Sequence, residues 1–119
     1  MTVETPAGLA EVDEAGLAAA LAEAGPLLLV DYVADHCVWC TRLEPVLLAI
    51  ESQFRNRVRM LKVNVSRHPR AVPEQGLRGT PTVMLYRDGR LLMARNGMMQ
   101  RAALVAFLEH WLDPSNEGL

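Results

Sequence analysis

The sequence predicts an α/β fold in which a central mixed β-sheet of four to five strands is sandwiched by helices. Two observations support this class: helical and strand patterns alternate through the first half of the chain, and an Asp-Gly hairpin follows in the second half. Alternation favours parallel strands joined by helices, and a hairpin adds an antiparallel strand. The 119 residues suit one core, so we interpret residues 1–119 as a single domain.

The first third of the chain contains one helix and the most apolar strand. A helix is predicted from Asp13 to Ala24, where Ala, Leu and Glu dominate and a Gly-Pro pair ends the pattern. Leu27 to Val33 is an apolar run broken only by Asp31, which is typical of a buried strand. Residues 1–12 are weakly patterned and are expected to form at most a short edge strand around Leu9 to Val12.

The remaining elements follow from the same kinds of signal. In order, they are a helix with an apolar stripe from Leu43 to Phe54 that contains Pro45, a strand over Val58–Val65, turns or a short helix over Ser66–Arg78, a hairpin of strands over Val83–Tyr86 and Leu91–Arg95, and a last helix with an apolar stripe from Leu104 to Leu112. Residues 114–119 are interpreted as a tail.

Cys37 and Cys40 are the only cysteines, and they lie between the apolar strand and the following helix. A Cys-x-x-Cys pair at such a junction indicates a redox motif. The start of a helix offers free N–H groups and a partial positive charge, which stabilise a thiolate. The position therefore suits attack on disulfides, because the thiolate is the attacking form.

Two charged residues are unusual for the strands that contain them. Asp31 is an acid on a predicted core strand, and burial without a partner would raise its pKa. The alternative is an edge carboxylate with local hydrogen bonds. Lys62 is the only lysine among twelve basic residues, and it has the parity of Val58 and Met60. The alternative interpretation of Lys62 is a solvated residue on a strand.

Composition excludes several classes of partner. The net charge of −2 and a pI near 5.9 give no basic field for nucleic acid. No apolar run approaches the length of a membrane span, and the N-terminus lacks the pattern of a secretory signal. We therefore expect a cytoplasmic protein, with a periplasmic or secreted location as the alternative if a signal peptide was removed.

Taken together, these features resemble the thioredoxin family from about Leu27 to Leu112. The matching segments are Val30-Asp31-Tyr32, Ala34 and Asp35, Cys37-x-x-Cys40, Pro45, Lys62-Val63-Asn64-Val65, Gly79-Thr80-Pro81-Thr82, Asp88-Gly89 and Asn96-Gly97. Cys-x-x-Cys alone is a weak signal, whereas these segments in order and at compatible spacing are specific. The resemblance implies a thioredoxin-like fold and a thiol–disulfide oxidoreductase that reduces protein disulfides.

The resemblance also implies roles for individual residues. Cys37 would attack a substrate disulfide, and Cys40 would resolve the mixed disulfide. Asp31 would relay a proton to or from Cys40, with Lys62 as its nearby charge partner. The peptide bond before Pro81 would be cis, and Pro81 would pack against the sulfurs of the two cysteines.

A substrate surface is expected beside the cysteines. The backbone of Thr80 would pair with an extended substrate segment, and Gly97 is a further predicted contact. Our hypothesis for Trp39 is an apolar platform shared with Met98, Met99 and Pro81. The alternative is that Trp39 folds back over the active site.

The motif departs from the family pattern, in which Gly-Pro separates the cysteines and an aromatic residue precedes them. Here Val38 and Trp39 separate the cysteines, and His36 precedes them. We expect these three residues to tune the reduction potential. A positive charge on His36 would lower the pKa of Cys37, although a histidine that points to solvent is the alternative.

The predicted enzyme needs no bound cofactor and no metal, because its redox group is the Cys37–Cys40 disulfide. Disulfide-containing proteins are the expected substrates, and a thioredoxin-reductase-like donor would supply electrons. We expect a monomer that binds neither nucleic acid nor membranes.

Three alternative functions stay open. An oxidase or isomerase of a more oxidising compartment would differ mainly in potential. A zinc or iron–sulfur site would need further ligands beside Cys37 and Cys40, such as His36 with His68 or a second subunit. A binding module with incidental thiols is the third alternative.

Overall fold

The structure is a computed structural model that describes residues 8–116. Its helices are α1 (Glu14–Ala22), α2 (Val38–Glu51) and α3 (Arg101–Leu112), and its strands are β1 (Ala10–Glu11), β2 (Leu27–Val33), β3 (Val58–Asn64), β4 (Thr82–Arg87) and β5 (Arg90–Asn96). Short 3-10 turns occur at Ser52–Phe54 and Pro69–Ala71. None of the helices in this part of the chain is long and apolar enough to cross a membrane.

The five strands form one mixed sheet in the order β1-β3-β2-β4-β5. β3 runs parallel to β2 and β1, whereas β4 runs antiparallel to both β2 and β5. The predicted α/β class and mixed sheet are confirmed. β2 is the central strand and every one of its residues is buried, so its continuous apolar sequence follows from having a layer on each face.

The two faces of the sheet carry separate cores. Along β2, Leu27 and Leu29 pack with residues of α2 and α3, whereas Leu28 and Val30 pack with residues of α1. Because side chains alternate along a strand, Asp31 lies on the same face as Leu29, towards α2. The acid is therefore directed at the helix that begins with the cysteine motif.

Predicted boundaries differ from the observed ones where side chains cap the elements. Asp13 lies before α1 as its N-cap, and its Oδ1 accepts a hydrogen bond of 2.8 Å from the Gly16 N–H. β3 ends at Asn64, one residue before the predicted end, because Asn64 Oδ1 accepts hydrogen bonds from the N–H groups of Ser66 and Arg67 at 2.9 and 3.1 Å. A strand cannot continue through that turn.

The chain ends are described only in part. The expected edge strand forms as β1, and the rest of the prediction for residues 1–7 lies outside the described residues. The predicted tail begins in a turn, since Asp113 Oδ1 accepts hydrogen bonds from the N–H and hydroxyl groups of Ser115 at 2.9 and 2.8 Å. Residues 117–119 lie outside the described part.

Candidate active site

The two cysteines form a disulfide at the junction between β2 and α2, with their Cα atoms 5.3 Å apart. Cys37 is the N-cap of α2, and its Sγ accepts a hydrogen bond of 3.2 Å from the Cys40 N–H. The sulfur thus occupies the position where a helix N-terminus stabilises negative charge. The predicted placement of the motif at a helix start is confirmed.

The two sulfur-bearing residues differ in their exposure. Cys37 is partly exposed, whereas Cys40 is 6% exposed and faces the core. An approaching disulfide therefore reaches Cys37 first. Cys40 is shielded from such an approach.

Asp31 is fully buried on the α2 face of the central strand, and neither of its carboxylate oxygens has a hydrogen-bond partner. The edge-carboxylate alternative is wrong, because β2 is flanked by strands on both sides. The pKa of Asp31 is raised from 3.8 to about 7, mainly by burial and also by the negative charge of Glu44, while the positive charge of Lys62 opposes both effects. The carboxyl group can therefore both take and give a proton near neutral pH.

Lys62 lies directly opposite Asp31 in the β2–β3 register. Its ion pair is with another residue: Lys62 Nζ donates to Glu44 Oε1 at 2.8 Å. Lys62 is thus near Asp31, as expected, and its charge lowers the pKa of Asp31, but its hydrogen-bonded partner is Glu44. Lys62 affects Asp31 only through its field, because a carboxylate one turn beyond Cys40 on α2 binds the ammonium group.

The loop from Gly79 to Thr82 lies beside the disulfide. The Thr80–Pro81 peptide bond is cis, and the Thr80 hydroxyl donates to Cys37 Sγ at 3.5 Å. Pro81 itself is buried. Its carbonyl oxygen accepts hydrogen bonds from the Gly97 N–H at 2.8 Å and the Asn96 side chain at 3.2 Å. Gly97 therefore supports this loop, in addition to its predicted place on the substrate surface.

The predicted apolar platform is only partly formed. Trp39 is 53% exposed and Met98 is 42% exposed, whereas Met99 is buried in the core that includes α2 and α3. Including Met99 and Pro81 on an exposed surface was therefore wrong. The guanidinium of Arg42 lies over the Trp39 ring at 5.2 Å from its centroid, so this indole contacts the next turn of α2.

The predicted tuning residues occupy the loop and first turn of α2. His36 is exposed and has a φ of 57°, a left-handed conformation that histidine tolerates better than most residues. Val38 is 62% exposed. Both residues lie beside Cys37, and their influence on its potential stays a prediction.

The cysteines, Glu44 and Lys62 line one open cavity of about 570 Å³ on the side of α2 that faces β3. Sequence reasoning missed Glu44, although its i+4 spacing from Cys40 places both on one helix face. It also missed Asn96 as a support for the Pro81 loop. Within residues 8–116, no three His, Cys, Asp or Glu side chains are grouped so that they could hold a metal ion, and His36 and His68 supply no such group.

Comparison with known proteins agrees with this geometry. The thioredoxin family model matches residues 9–110. A thioredoxin of Acidithiobacillus ferridurans is 34% identical over 85 residues, which cover 71% of this chain and 79% of that protein. Thioredoxins of Pseudomonas aeruginosa (34% over 85 residues; 71% and 78% covered) and Allochromatium vinosum (38% over 82 residues; 69% and 77% covered) are similar. With a disulfide at the start of α2, the chain belongs to the thioredoxin family of thiol–disulfide oxidoreductases.

Proposed function

We propose that this chain reduces disulfides in other proteins, with Cys37 as the nucleophile and Cys40 as the resolving thiol. The observation that carries the assignment is the unequal exposure of the two residues at one helix N-terminus. Cys37 is partly exposed and its Sγ accepts the Cys40 N–H, whereas Cys40 is buried. A thiolate at Cys37 would keep that hydrogen bond and gain from the helix dipole.

The reaction begins when the Cys37 thiolate attacks one sulfur of the substrate disulfide. A Cys37–substrate bond forms, the substrate S–S bond breaks, and the displaced thiolate takes a proton. Cys40 then transfers its proton to the Asp31 carboxylate and attacks the Cys37 sulfur. The Cys37–Cys40 bond forms and the second substrate sulfur leaves, so two electrons have passed from the dithiol to the substrate.

Asp31 is proposed as the proton acceptor because it is the buried acid on the α2 face of the sheet. Its pKa of about 7 suits proton transfer in both directions near neutral pH. Lys62 is proposed to act on Asp31 through space rather than through a hydrogen bond. Val83, opposite Asp31 on β4, adds no charge from the other neighbouring strand.

Substrate contacts are proposed on the exposed side of the disulfide. Thr80 would offer its backbone to an extended segment, beside Pro81 and the loop of Gly97 and Met98. The half-exposed Trp39 would supply apolar contact on the other side of Cys37. This surface would accept segments of many sequences, because backbone pairing carries little side-chain specificity.

The direction of electron flow and the electron donor belong to the same proposal. The redox group would be the disulfide itself, with no bound cofactor, and a thioredoxin-reductase-like protein would reduce it in the cytoplasm. His36, Val38 and Trp39 would tune its potential. Equilibration with glutathione buffers measures that potential, and a value well above that of thioredoxins would favour an oxidase or isomerase instead.

Trapping variants test the roles of the cysteines. Cys40→Ser should accumulate a mixed disulfide with insulin, because Cys37 can attack but nothing resolves the product. The matched Cys37→Ser variant should form no such adduct, and neither variant should accelerate insulin reduction by dithiothreitol. Mass spectrometry of the unreduced mixtures measures the adduct. An adduct with Cys37→Ser and none with Cys40→Ser would reverse the assignment.

A further inference from the structure

Glu44 is a charged residue of the site that the reaction above does not use. It lies on α2 four residues after Cys40, and its side chain is only 19% exposed. Half-buried carboxylates are uncommon without a partner. Here the partner is Lys62 Nζ at 2.8 Å, itself on a side chain that is 20% exposed. This is the least exposed ion pair among the described residues.

The pair is enclosed on the side of the N-terminal segment. A Cβ atom placed on Gly8 would overlap Oε2 of Glu44 and lie 3.4 Å from Lys62 Nζ. Glycine at this position therefore leaves room for the carboxylate. β1 continues alongside, where Glu11 pairs with Lys62 in the strand register and its carboxylate is bound by Arg67 at 3.0 Å.

The ion pair of Glu44 and Lys62 determines which charged groups lie near the Asp31 carboxyl group. The charged groups directed at Asp31 are Glu44 from α2 and Lys62 from β3, while β4 presents the apolar Val83. A lysine opposite a buried aspartate would ordinarily bind it. Glu44 binds the ammonium group instead, and both oxygens of Asp31 are left without a hydrogen-bond partner.

We infer that Glu44 is a positioning residue for proton transfer at Cys40, because it holds the Lys62 ammonium group away from the Asp31 carboxyl group. This inference rests on the proposed function. With Lys62 bound to Asp31, the carboxyl group would stay ionised and would return a proton poorly to the Cys40 thiolate when the disulfide is reduced. With Lys62 bound to Glu44, Asp31 exchanges the Cys40 proton in both directions near neutral pH.

The test is Glu44→Gln, which keeps the shape of the side chain and removes its charge. Its matched control is Glu51→Gln, which removes an acid from the last residue of the same helix. The midpoint for protonation of Asp31 is read from its carboxyl ¹³C shift in the oxidised protein. Glu44→Gln should lower that midpoint by about one pH unit or more, because a carboxylate charge is lost and Lys62 is released towards Asp31. Glu51→Gln should leave it unchanged.

A second readout is the pH profile of insulin reduction. The acid limb of the profile should move to lower pH in Glu44→Gln by the same amount as the NMR midpoint, and it should stay in place in Glu51→Gln. Lys62→Met should move both quantities upward. A variant that only loosens packing would lower thermal stability without moving either midpoint, and that result would overturn the inference.

The two proposals fail separately. The carboxyl titration needs no turnover, so an unchanged or raised midpoint in Glu44→Gln overturns the inference even when the parent protein reduces insulin. A parent protein that does not accelerate insulin reduction overturns the proposed function, whatever the midpoint of Asp31.

Discussion

At the scale of single residues, the feature that explains most of the site is an acid that the fold stabilises poorly. Asp31 occupies the central strand with no exposed surface and no hydrogen bond to its carboxylate. Such a group destabilises the folded state when it is ionised, because burying an ionised carboxylate without a partner is costly. The acid is tolerated because it takes up a proton near neutral pH, and that same property fits it to serve Cys40.

The cost of Asp31 should appear in the pH dependence of stability. The pKa of Asp31 in the folded oxidised protein is about 7, above its ordinary value of 3.8. Between those pH values the folded state binds a proton that the unfolded state has released. The contribution of this group is therefore fully present below about pH 4 and is lost as pH rises through 7, a change of about 4 kcal/mol.

Asp31→Asn should remove this pH dependence. We expect the free energy of unfolding of Asp31→Asn, relative to the parent protein, to rise by about 4 kcal/mol between pH 4 and pH 8. Urea unfolding of the oxidised proteins at both pH values measures it. The constant cost of burying an amide cancels in this comparison. Asp88→Asn, at an exposed turn residue, is the control, and equal pH dependence in parent and Asp31→Asn would contradict the assignment.

At the scale of elements, the loop beside the disulfide is held where β4 begins and β5 ends. The last residue of β5, Asn96, donates its side-chain amide to the Pro81 carbonyl at 3.2 Å and to the Thr82 hydroxyl at 3.1 Å. Thr82 in turn donates to the Gly79 carbonyl at 2.6 Å. The hairpin of β4 and β5 thus fixes the loop that lies beside Cys37.

Asn96→Ala should weaken activity on proteins more than on small disulfides. Loss of the amide loosens the loop that would pair with an extended substrate. We expect kcat/KM for insulin to fall about fivefold, the equivalent of about 1 kcal/mol, with little change for a small aromatic disulfide. Asn116→Ala is the matched control, because its amide caps the far end of α3 by donating to the His110 carbonyl at 2.8 Å. Equal losses on both substrates would argue against a binding role for the loop.

The elements show how far sequence alone can reach. Both ends of β2 were predicted correctly. A central strand needs apolar side chains on both faces, and the apolar run lies between Gly-Pro and the loop before Cys37. Glu44 was missed because it lies on a helix whose apolar stripe includes Leu43 and Leu47. A polar residue outside such a stripe is expected to be solvated. Which residue Glu44 pairs with depends on how α2 packs over strands β2 and β3. Such a contact between distant segments leaves no periodic signal in the sequence.

At the scale of the whole molecule, chemistry and packing are divided between the two faces of the sheet. The face towards α2 and α3 carries Asp31, Lys62 and the helix that begins at the disulfide. The opposite face, towards α1, contains a hydrogen bond of 2.9 Å between the buried hydroxyls of Tyr32 and Tyr86. Desolvation raises the pKa of both tyrosines, so this pair stays neutral and acts as part of the core.

This division predicts that the two cores contribute independently to stability. Ile50 is fully buried on α2 in one core, and Val63 is fully buried on β3 in the other. Ile50→Val should cost about 1 kcal/mol and Val63→Ala about 2 kcal/mol, from lost apolar burial and the cavity left behind. The double variant should lose the sum to within about 0.5 kcal/mol, because the sheet separates the two sites.

Urea unfolding of the four proteins, with equal m-values as the check on two-state behaviour, measures this additivity. Insulin reduction should persist in every variant, since neither position lies at the disulfide. An interaction free energy above about 1 kcal/mol would mean that strain crosses the sheet. In that case the α1 face could not be treated as separate from the chemistry of Asp31.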